Sequence, residues 1–203
     1  MNSRLILASA SPTRREILSA AKITFQSIAP NVDEDIVKRK LLRDGAVASA
    51  VASALAEQKA LDVSASMGTV GDDTLVLGAD QVLVCDGELF SKAEDLMQAS
   101  HCLKRFRGRK HELISAMALV RKGVTEWLYF ESAELWVRDF SDVFLEEYLE
   151  KEGDNILGSV GCYRIEGRGA QLFEKIIGDQ FTIRGLPLVP LLGALRVRGI
   201  VPK

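Results

Sequence analysis

Apolar and polar residues follow two patterns that take turns along the chain. Short apolar runs between polar or glycine residues indicate buried strands, and apolar residues three or four positions apart indicate helices. The predicted strands span residues 5–8, 23–29, 74–79, 82–85, 88–90, 109–120, 125–137 and 180–184. One predicted helix begins at Pro12, and the others span residues 46–64, 93–106, 142–152, 170–176 and 187–198. The Asp86-Gly87 and Lys122-Gly123 pairs predict tight turns between antiparallel strands.

The first strand and helix are joined by a turn rich in hydroxyl groups. Ser9 and Ser11 follow the apolar run Leu5–Ala8, and Pro12 suits the first position of a helix. A helix N-terminus offers free backbone N–H groups, and Arg14 adds a planar fork of donors, so the stretch predicts a phosphate site. The alternative is that Ser11 only caps the helix and that the arginines form a solvated face.

Asp80 and Gln81 interrupt an otherwise apolar run. A buried carboxylate or amide is costly unless a partner satisfies it. Gly78 and Ala79 just before them leave room for a ligand or for a bulge. This position is therefore the strongest candidate for a functional residue, and a bulge that points to solvent is the alternative.

Other charged residues have a plainer explanation when each is taken alone. Residues 32–35 predict an acidic loop that includes Glu34, and such a run is usually solvated surface. Lys59 lies near the end of a predicted helix, where an exposed lysine favours the helix dipole. Together with Lys92, these groups combine cations, hydroxyls and two carboxylates. That combination suits metal-assisted attack of water on a phosphoanhydride, although the sequence does not show that the groups converge.

Composition excludes several classes of protein. The 203 residues are 47% hydrophobic with a formal net charge of −2, which argues against a nucleic-acid-binding protein. Cys85, Cys102 and Cys162 are widely spaced, and with no signal-peptide pattern or 20-residue apolar run we expect a cytoplasmic protein without a membrane segment. The chain lacks the P-loop, the dinucleotide fingerprint and the H-E-x-x-H motif, and its two histidines make a histidine-based triad improbable.

Six short motifs, in order, resemble the Maf family of nucleoside triphosphate pyrophosphatases. Each motif alone is unspecific, but six in register over nearly the whole chain are highly specific. They are Leu7-Ala8-Ser9-Ala10-Ser11-Pro12-Thr13-Arg14-Arg15-Glu16-Ile17-Leu18, Ala29-Pro30-Asn31-Val32-Asp33-Glu34, Leu55-Ala56-Glu57-Gln58-Lys59-Ala60, Gly78-Ala79-Asp80-Gln81, Ser91-Lys92-Ala93, where the family has proline in place of Ala93, and the pair Glu166-Gly167 with Gly185-Leu186-Pro187-Leu188.

The resemblance implies a fold, a reaction and a set of site residues. The fold is α/β, with a long twisted mixed sheet flanked by helices and two lobes around a central cleft, similar to inosine triphosphate pyrophosphatases; we expect residues 1–203 to form one such domain, usually as a homodimer. The reaction converts a nucleoside triphosphate to the monophosphate and pyrophosphate with Mg²⁺ or Mn²⁺. The implied catalytic residues are Asp80 as proton acceptor, Lys59 and Glu34, with Asp80 and Glu34 at the metal. Ser9, Ser11, Arg14, Lys59 and Lys92 are implied to hold the triphosphate.

Three positions differ from the subgroup that prefers dTTP and UTP. Thr13, Gln81 and Glu166 stand where that subgroup has Arg, Thr and Gln, and the pattern resembles the relatives that hydrolyse 7-methyl-GTP. A carboxylate at Glu166 could accept hydrogen bonds from guanine N1 and N2. We therefore expect a modified or purine nucleotide as substrate. The alternatives are a pyrophosphatase for deaminated purines and a non-catalytic, nucleotide-binding regulator of cell division.

Overall fold

The computed structural model describes residues 4–67 and 74–202. In this part of the chain seven strands form one mixed sheet that is flanked by helices. The strands are β1 Leu5–Ala8, β2 Gln26–Ile28, β3 Leu75–Cys85, β4 Glu88–Phe90, β5 Lys110–Arg121, β6 Val124–Val137 and β7 Phe173–Ile177. The helices are α1 Pro12–Ala20, α2 Glu34–Arg43, α3 Ala48–Ser66, α4 Leu96–Phe106, α5 Asp142–Glu152, α6 Gln180–Ile183 and α7 Leu188–Val197.

The sheet is parallel at one end and antiparallel at the other. Its strand order is β2-β1-β3-β5-β6-β7, with β1 parallel to both β2 and β3 and the later neighbours antiparallel. The two tight turns form as predicted, because Asp86, Gly87, Lys122 and Gly123 all have positive φ angles. The long mixed sheet that the resemblance implies is confirmed.

One edge of β3 is open in its middle. β5 covers the other edge continuously from Val76 to Cys85. On the open side, β1 pairs only as far as Gly78 and β4 begins pairing at Leu83. Residues 79–82 therefore lie between two partner strands, with no ladder partner on that side among the described residues. Asp80 and Gln81 stand in this gap.

Three apolar clusters form the core and divide the molecule into two lobes. One cluster packs α3 against the sheet, and a second packs α1 and α7 against the opposite face. The third lies around α4 and α5, against the far ends of β3, β5 and β6. A cleft lies between the lobes and is lined by residues from both. The two-lobed arrangement is thus confirmed.

The structure corrects the acidic loop predicted at residues 32–35. Asp33 is the N-cap of α2, and its side chain accepts a hydrogen bond from the Ile36 N–H at 3.0 Å. Glu34 and Asp35 form the first turn, where negative charge favours the helix dipole. None of the residues of α2 is fully buried, but Val37 and Leu41, one turn apart, pack against the α3 cluster, so the helix has an apolar face that the acidic-loop prediction overlooked.

Two further elements near the C-terminus were predicted wrongly. The predicted helix at 170–176 is a short 3₁₀ turn followed by β7, which pairs with the last residues of β6. The predicted strand at 180–184 is the short helix α6, because the Asp179 carboxylate caps the N–H groups of Phe181 and Thr182. The predicted strands at 74–79 and 82–85 are one continuous strand, β3.

Candidate active site

A lysine joined to two carboxylates lies at the centre of the cleft. Lys59 on α3 contacts Asp80 Oδ1 at 2.5 Å and Glu34 Oε1 at 2.7 Å through its Nζ atom. Lys59 and Asp80 are only 6% and 4% exposed, whereas the Glu34 side chain is 41% exposed. Lys59 is thus a buried cation with two anionic partners rather than a solvated helix residue. The three implied catalytic residues are brought together.

One oxygen of Asp80 is without a partner. Its Oδ2 is buried, and no hydrogen-bond donor among the described residues reaches it. Burial by itself would raise the pKa of Glu34, but the charge and hydrogen bond of Lys59 outweigh burial and lower that pKa below its ordinary value. Two anionic carboxylates with a free oxygen suit a hard divalent cation that takes its other ligands from phosphate and water. In the described ranges no three His, Cys, Asp or Glu residues cluster as a metal site.

The turn after β1 is hydrogen-bonded to Arg14 of the helix that follows it. Arg14 is buried and donates to Gly185 O at 2.8 Å, Ala79 O at 2.9 Å and Ser9 Oγ at 3.3 Å. Burial lowers the pKa of Arg14, although the charges of Asp80 and Glu34 oppose this. Arg14 therefore holds β1, β3 and the segment after α6 in register.

Ser11 has the capping role that the plainer reading assigns to it. Its Oγ accepts from the Arg14 N–H at 3.4 Å, at the start of α1. Ser9 is buried, and its Oγ also accepts from the Ser11 N–H at 3.2 Å. Both hydroxyls belong to the wall of the turn, and Ser11 also lines the cleft.

Lys92 lies in the same cleft without a carboxylate partner. Among residues 4–67 and 74–202 no acidic group lies within 4.0 Å of its ammonium. Burial, followed by the nearby charge of Arg14, lowers the pKa of Lys92 below its ordinary value. A half-buried, unpaired cation is unfavourable in the fold by itself, so Lys92 is a candidate ligand for an anion.

Gln81 is fixed by the segment at the end of α6. Its Nε2 donates to Ser115 Oγ at 2.9 Å and to the carbonyls of Thr182 and Ile183, each at 3.0 Å. The amide nitrogen is therefore fully occupied, and only the carbonyl oxygen of Gln81 remains for a ligand. Thr13 lines the cleft at the start of α1.

Glu166 lies at the edge of the cleft between two arginines. Its Oε1 is 3.4 Å from Arg164 Nε, and its Oε2 is 3.9 Å from Arg184 Nε. Arg184 follows α6 directly and also contacts Glu16 Oε2 at 3.3 Å. Sequence reasoning missed Arg184, because no motif or apolar pattern marks it.

The cleft has a volume of about 1130 Å³ and is lined by side chains of both charges. The site residues Ser11, Thr13, Arg14, Glu34, Lys59, Asp80, Gln81, Lys92 and Glu166 all line it. Ser9 lies behind this surface and reaches it through Arg14. This volume is slightly above the roughly 300–1,000 Å³ typical of small-molecule sites, and Lys92 offers a cation within it to an anionic ligand.

Sequence comparisons agree with this geometry. The sequence model of the Maf family, described as "Maf-like protein", matches residues 4–198. The chain belongs to the Maf family. A nucleoside triphosphate pyrophosphatase of Granulibacter bethesdensis is 48% identical over 95% of this chain and 96% of its own. A 7-methyl-GTP pyrophosphatase of Rhizobium meliloti is 43% identical over 99% of each chain.

A solved structure gives a weaker likeness to the Maf chain. It is a nucleoside-triphosphatase, or dITP/XTP pyrophosphatase, from Mycobacterium abscessus, with 13% identity over 98% of both chains and a TM-score of 0.40. That likeness is too weak to support a conclusion. Within the described ranges, none of the helices has both the length and the apolar character needed to span a bilayer.

Two other groups that sequence reasoning considered have structural roles. His111 is buried, and its Nε2 lies 2.7 Å from the Tyr163 hydroxyl. Burial lowers the pKa of His111 to about 4, so the ring is neutral near pH 7. The three cysteines are free thiols.

Proposed function

We propose that this Maf-family protein is a nucleoside triphosphate pyrophosphatase that releases pyrophosphate and the monophosphate. The observation that carries the proposal is the unpartnered, buried Asp80 Oδ2 beside the Lys59 pair, in a cleft that also holds the unpaired Lys92. The names of the relatives support the same reaction. Attack on a phosphoanhydride needs both a carboxylate oxygen that can activate water and a cation that can bind phosphate.

Asp80 is the proton acceptor in this scheme. A water molecule held by Oδ2 gives a proton to the carboxylate while the water oxygen attacks the α-phosphorus. The bond between the α-phosphorus and the oxygen that bridges it to the β-phosphorus breaks, and pyrophosphate leaves with that oxygen. Lys59 holds Oδ1, so that Oδ2 is the oxygen presented to water. Such positioned general bases typically contribute about 100- to 10,000-fold to the rate.

The phosphate groups are held by cations and by the turn after β1. Lys92 is free to contact phosphate oxygens, and Ser11 also lines the cleft. The guanidinium of Arg14 donates three hydrogen bonds to protein acceptors. Its contribution to phosphate binding is therefore mainly its positive charge and the shape that it gives the turn. Charges fixed in this way stabilise the negative charge that develops on the leaving pyrophosphate.

Asp80 and Glu34 are the residues that would hold Mg²⁺ or Mn²⁺. Asp80 would contact the metal through the water that Oδ2 holds, and the partly exposed Glu34 can turn towards the substrate. A bound divalent cation supplies Lewis acidity and neutralises phosphate charge. Glu34 begins α2, so the first turn of this helix would lie next to the bound phosphate groups.

The proposed substrate is 7-methyl-GTP or another modified purine nucleotide. Glu166 lines the cleft, and its carboxylate suits a guanine edge or a methylated, positively charged base. Several relatives carry the name 7-methyl-GTP pyrophosphatase at 42–44% identity. Gln81 can contribute only its carbonyl oxygen, which accepts from an N–H group of the ligand.

Pyrophosphate release across a nucleotide panel tests the proposal. With Mg²⁺ present, dTTP, UTP, CTP, GTP, ITP and 7-methyl-GTP are compared for wild type, Asp80→Asn and Asp139→Asn. We expect Asp80→Asn to lower kcat by about 100- to 10,000-fold with nucleotide binding retained. Asp139 is exposed and lies outside the cleft, so its variant is the matched control.

The same panel separates the competing readings. Full turnover by Asp80→Asn removes the base assignment. A wild-type protein that binds nucleotides and hydrolyses none would support the non-catalytic regulator instead. A preference for dTTP and UTP contradicts the interpretation of Thr13, Gln81 and Glu166.

We also propose that the protein forms the homodimer that the resemblance implies. Sedimentation analysis of the purified chain tests this proposal.

A further inference from the structure

The feature that carries a further inference is Arg184, a charged residue that the phosphate chemistry does not use. Its side chain is only 19% exposed, lines the cleft and contacts Glu16 on one side. Its Nε is buried and makes no hydrogen bond with the described residues, although Glu166 Oε2 is 3.9 Å away. A buried guanidinium donor that is left unpaired beside a carboxylate is costly, so it calls for a ligand.

The backbone of Arg184 belongs to a segment that is hydrogen-bonded to β3, the strand that carries Asp80. Its backbone N–H donates to Gln180 O at 3.1 Å, at the end of α6. The next residue, Gly185, accepts from Arg14, and the two preceding carbonyls accept from Gln81. The backbone at Arg184 is therefore fixed in relation to β3, and Glu16 contacts one end of the guanidinium. A side chain anchored in this way loses less conformational freedom when it binds a ligand.

We propose that Arg184 and Glu166 together read the Watson–Crick edge of guanine. This inference rests on the proposed nucleotide pyrophosphatase function and adds the identity of the base and a residue that selects it. Guanine presents one acceptor, O6, beside two donors, N1–H and the N2 amine. Arg184 donates to O6, and Glu166 accepts from N1 and N2.

The polarity of the pair selects against adenine. Adenine presents a donor amine where guanine has O6, and an acceptor where guanine has N1–H. Arg184 would then face a donor and Glu166 an acceptor, and sites built on hydrogen bonds strongly reject such a mismatch. Methylation at N7 changes the Hoogsteen edge and leaves O6, N1 and N2 in place. GTP and 7-methyl-GTP therefore depend on Arg184 in the same way.

Comparing four nucleotides across two variants tests the pair. We measure kcat/KM for GTP, 7-methyl-GTP, ITP and ATP with wild type, Arg184→Gln and Glu166→Gln, and confirm folding by urea unfolding. Relative to ATP, Arg184→Gln is expected to lower the values for GTP, 7-methyl-GTP and ITP by about 10- to 100-fold, because all three carry O6. Glu166→Gln is expected to penalise GTP more than ITP, because only guanine carries the N2 amine.

A matched arginine distinguishes base reading from a general charge effect. Arg196 is an exposed residue of α7 outside the cleft, and Arg196→Gln should match wild type with every nucleotide. If Arg184→Gln lowers all four nucleotides by one common factor, or if wild type prefers ATP, the inference is wrong. If wild type hydrolyses nothing, the proposed function fails. The ratio of the Kd values of AMP and GMP, measured for wild type and Arg184→Gln, then decides base reading separately.

Discussion

Replacing Gly78 by alanine should separate the two elements that build the active site. A Cβ atom at Gly78 would lie 2.0 Å from Ala56 O and 2.8 Å from Ala60 N, both on the backbone of α3. Ordinary contact begins at 3.4 Å, so β3 and α3 have to move apart by about 1.4 Å at this point. Neither neighbour is a flexible side chain that could turn away. Gly78 therefore sets how closely α3 can approach β3.

The same displacement acts on stability and on catalysis. Overpacking of this kind typically costs about 1–3 kcal/mol, and a clash between backbones places Gly78→Ala near the upper end, at about 3 kcal/mol. Lys59 follows Ala56 by less than one helical turn, and Asp80 follows Gly78 on the same face of β3, so their 2.5 Å contact lies beside the strained point. A misplacement of about 1 Å can cost roughly 100-fold in rate.

Urea unfolding and pyrophosphate release, both measured at low temperature on folded protein, test this expectation. Gly193→Ala is the control, because Gly193 lies in α7 and its added Cβ would meet no atom within 4 Å. Replacing glycine within a helix usually stabilises by about 1 kcal/mol, so the control should be slightly more stable and fully active. Wild-type stability and activity in Gly78→Ala would refute the reasoning, since α3 would then not depend on the missing side chain.

Two other substitutions test charge and pH. Lys92→Met should raise KM for the nucleotide by about 10-fold or more while stability stays the same or rises, because the lost cation has no partner in the described fold; a large loss of stability with unchanged KM contradicts this. His111 is neutral in the fold down to a pKa of about 4 but takes up a proton near 6.5 when unfolded, so it lowers stability as pH falls between those values. From pH 7 to pH 5 the loss is about 2 kcal/mol, and His111→Phe should remove that part of the pH dependence of urea unfolding; an unchanged slope would show that His111 does not cause it.

The elements that sequence could predict are those with local causes. β1, the turn and α1 follow from one apolar run, Pro12 and a capping serine, all within a few residues of one another. The two hairpins follow from Asp-Gly and Lys-Gly pairs. Asp80 could be singled out because a carboxylate in an apolar run needs a partner wherever the run folds.

The elements that were missed depend on contacts distant in sequence. β7 is a strand because β6 offers it a free edge, and its own residues are largely exposed. α2 is an exception, because its local signals suffice: Asp33 caps it, and Val37 and Leu41, one helical turn apart, pack against the α3 cluster. Arg184 could not be recognised from sequence, because its contacts with Glu166 and Glu16 form only in the folded protein. Both residues are distant from it along the chain.

The middle of β3 places side chains from both of its faces in one cleft. Successive residues of a strand face opposite sides, so Gly78 and Asp80 face α3, while Gln81 contacts the end of α6. The Lys59–Asp80 pair thus lies on one face of β3, and the proposed base-reading segment lies on the other. Because β1 and β4 leave residues 79–82 uncovered at the edge, both faces open into the same cleft. A strand paired along its whole length would separate the two groups, and the gap in pairing would let a single ligand of the proposed kind reach both.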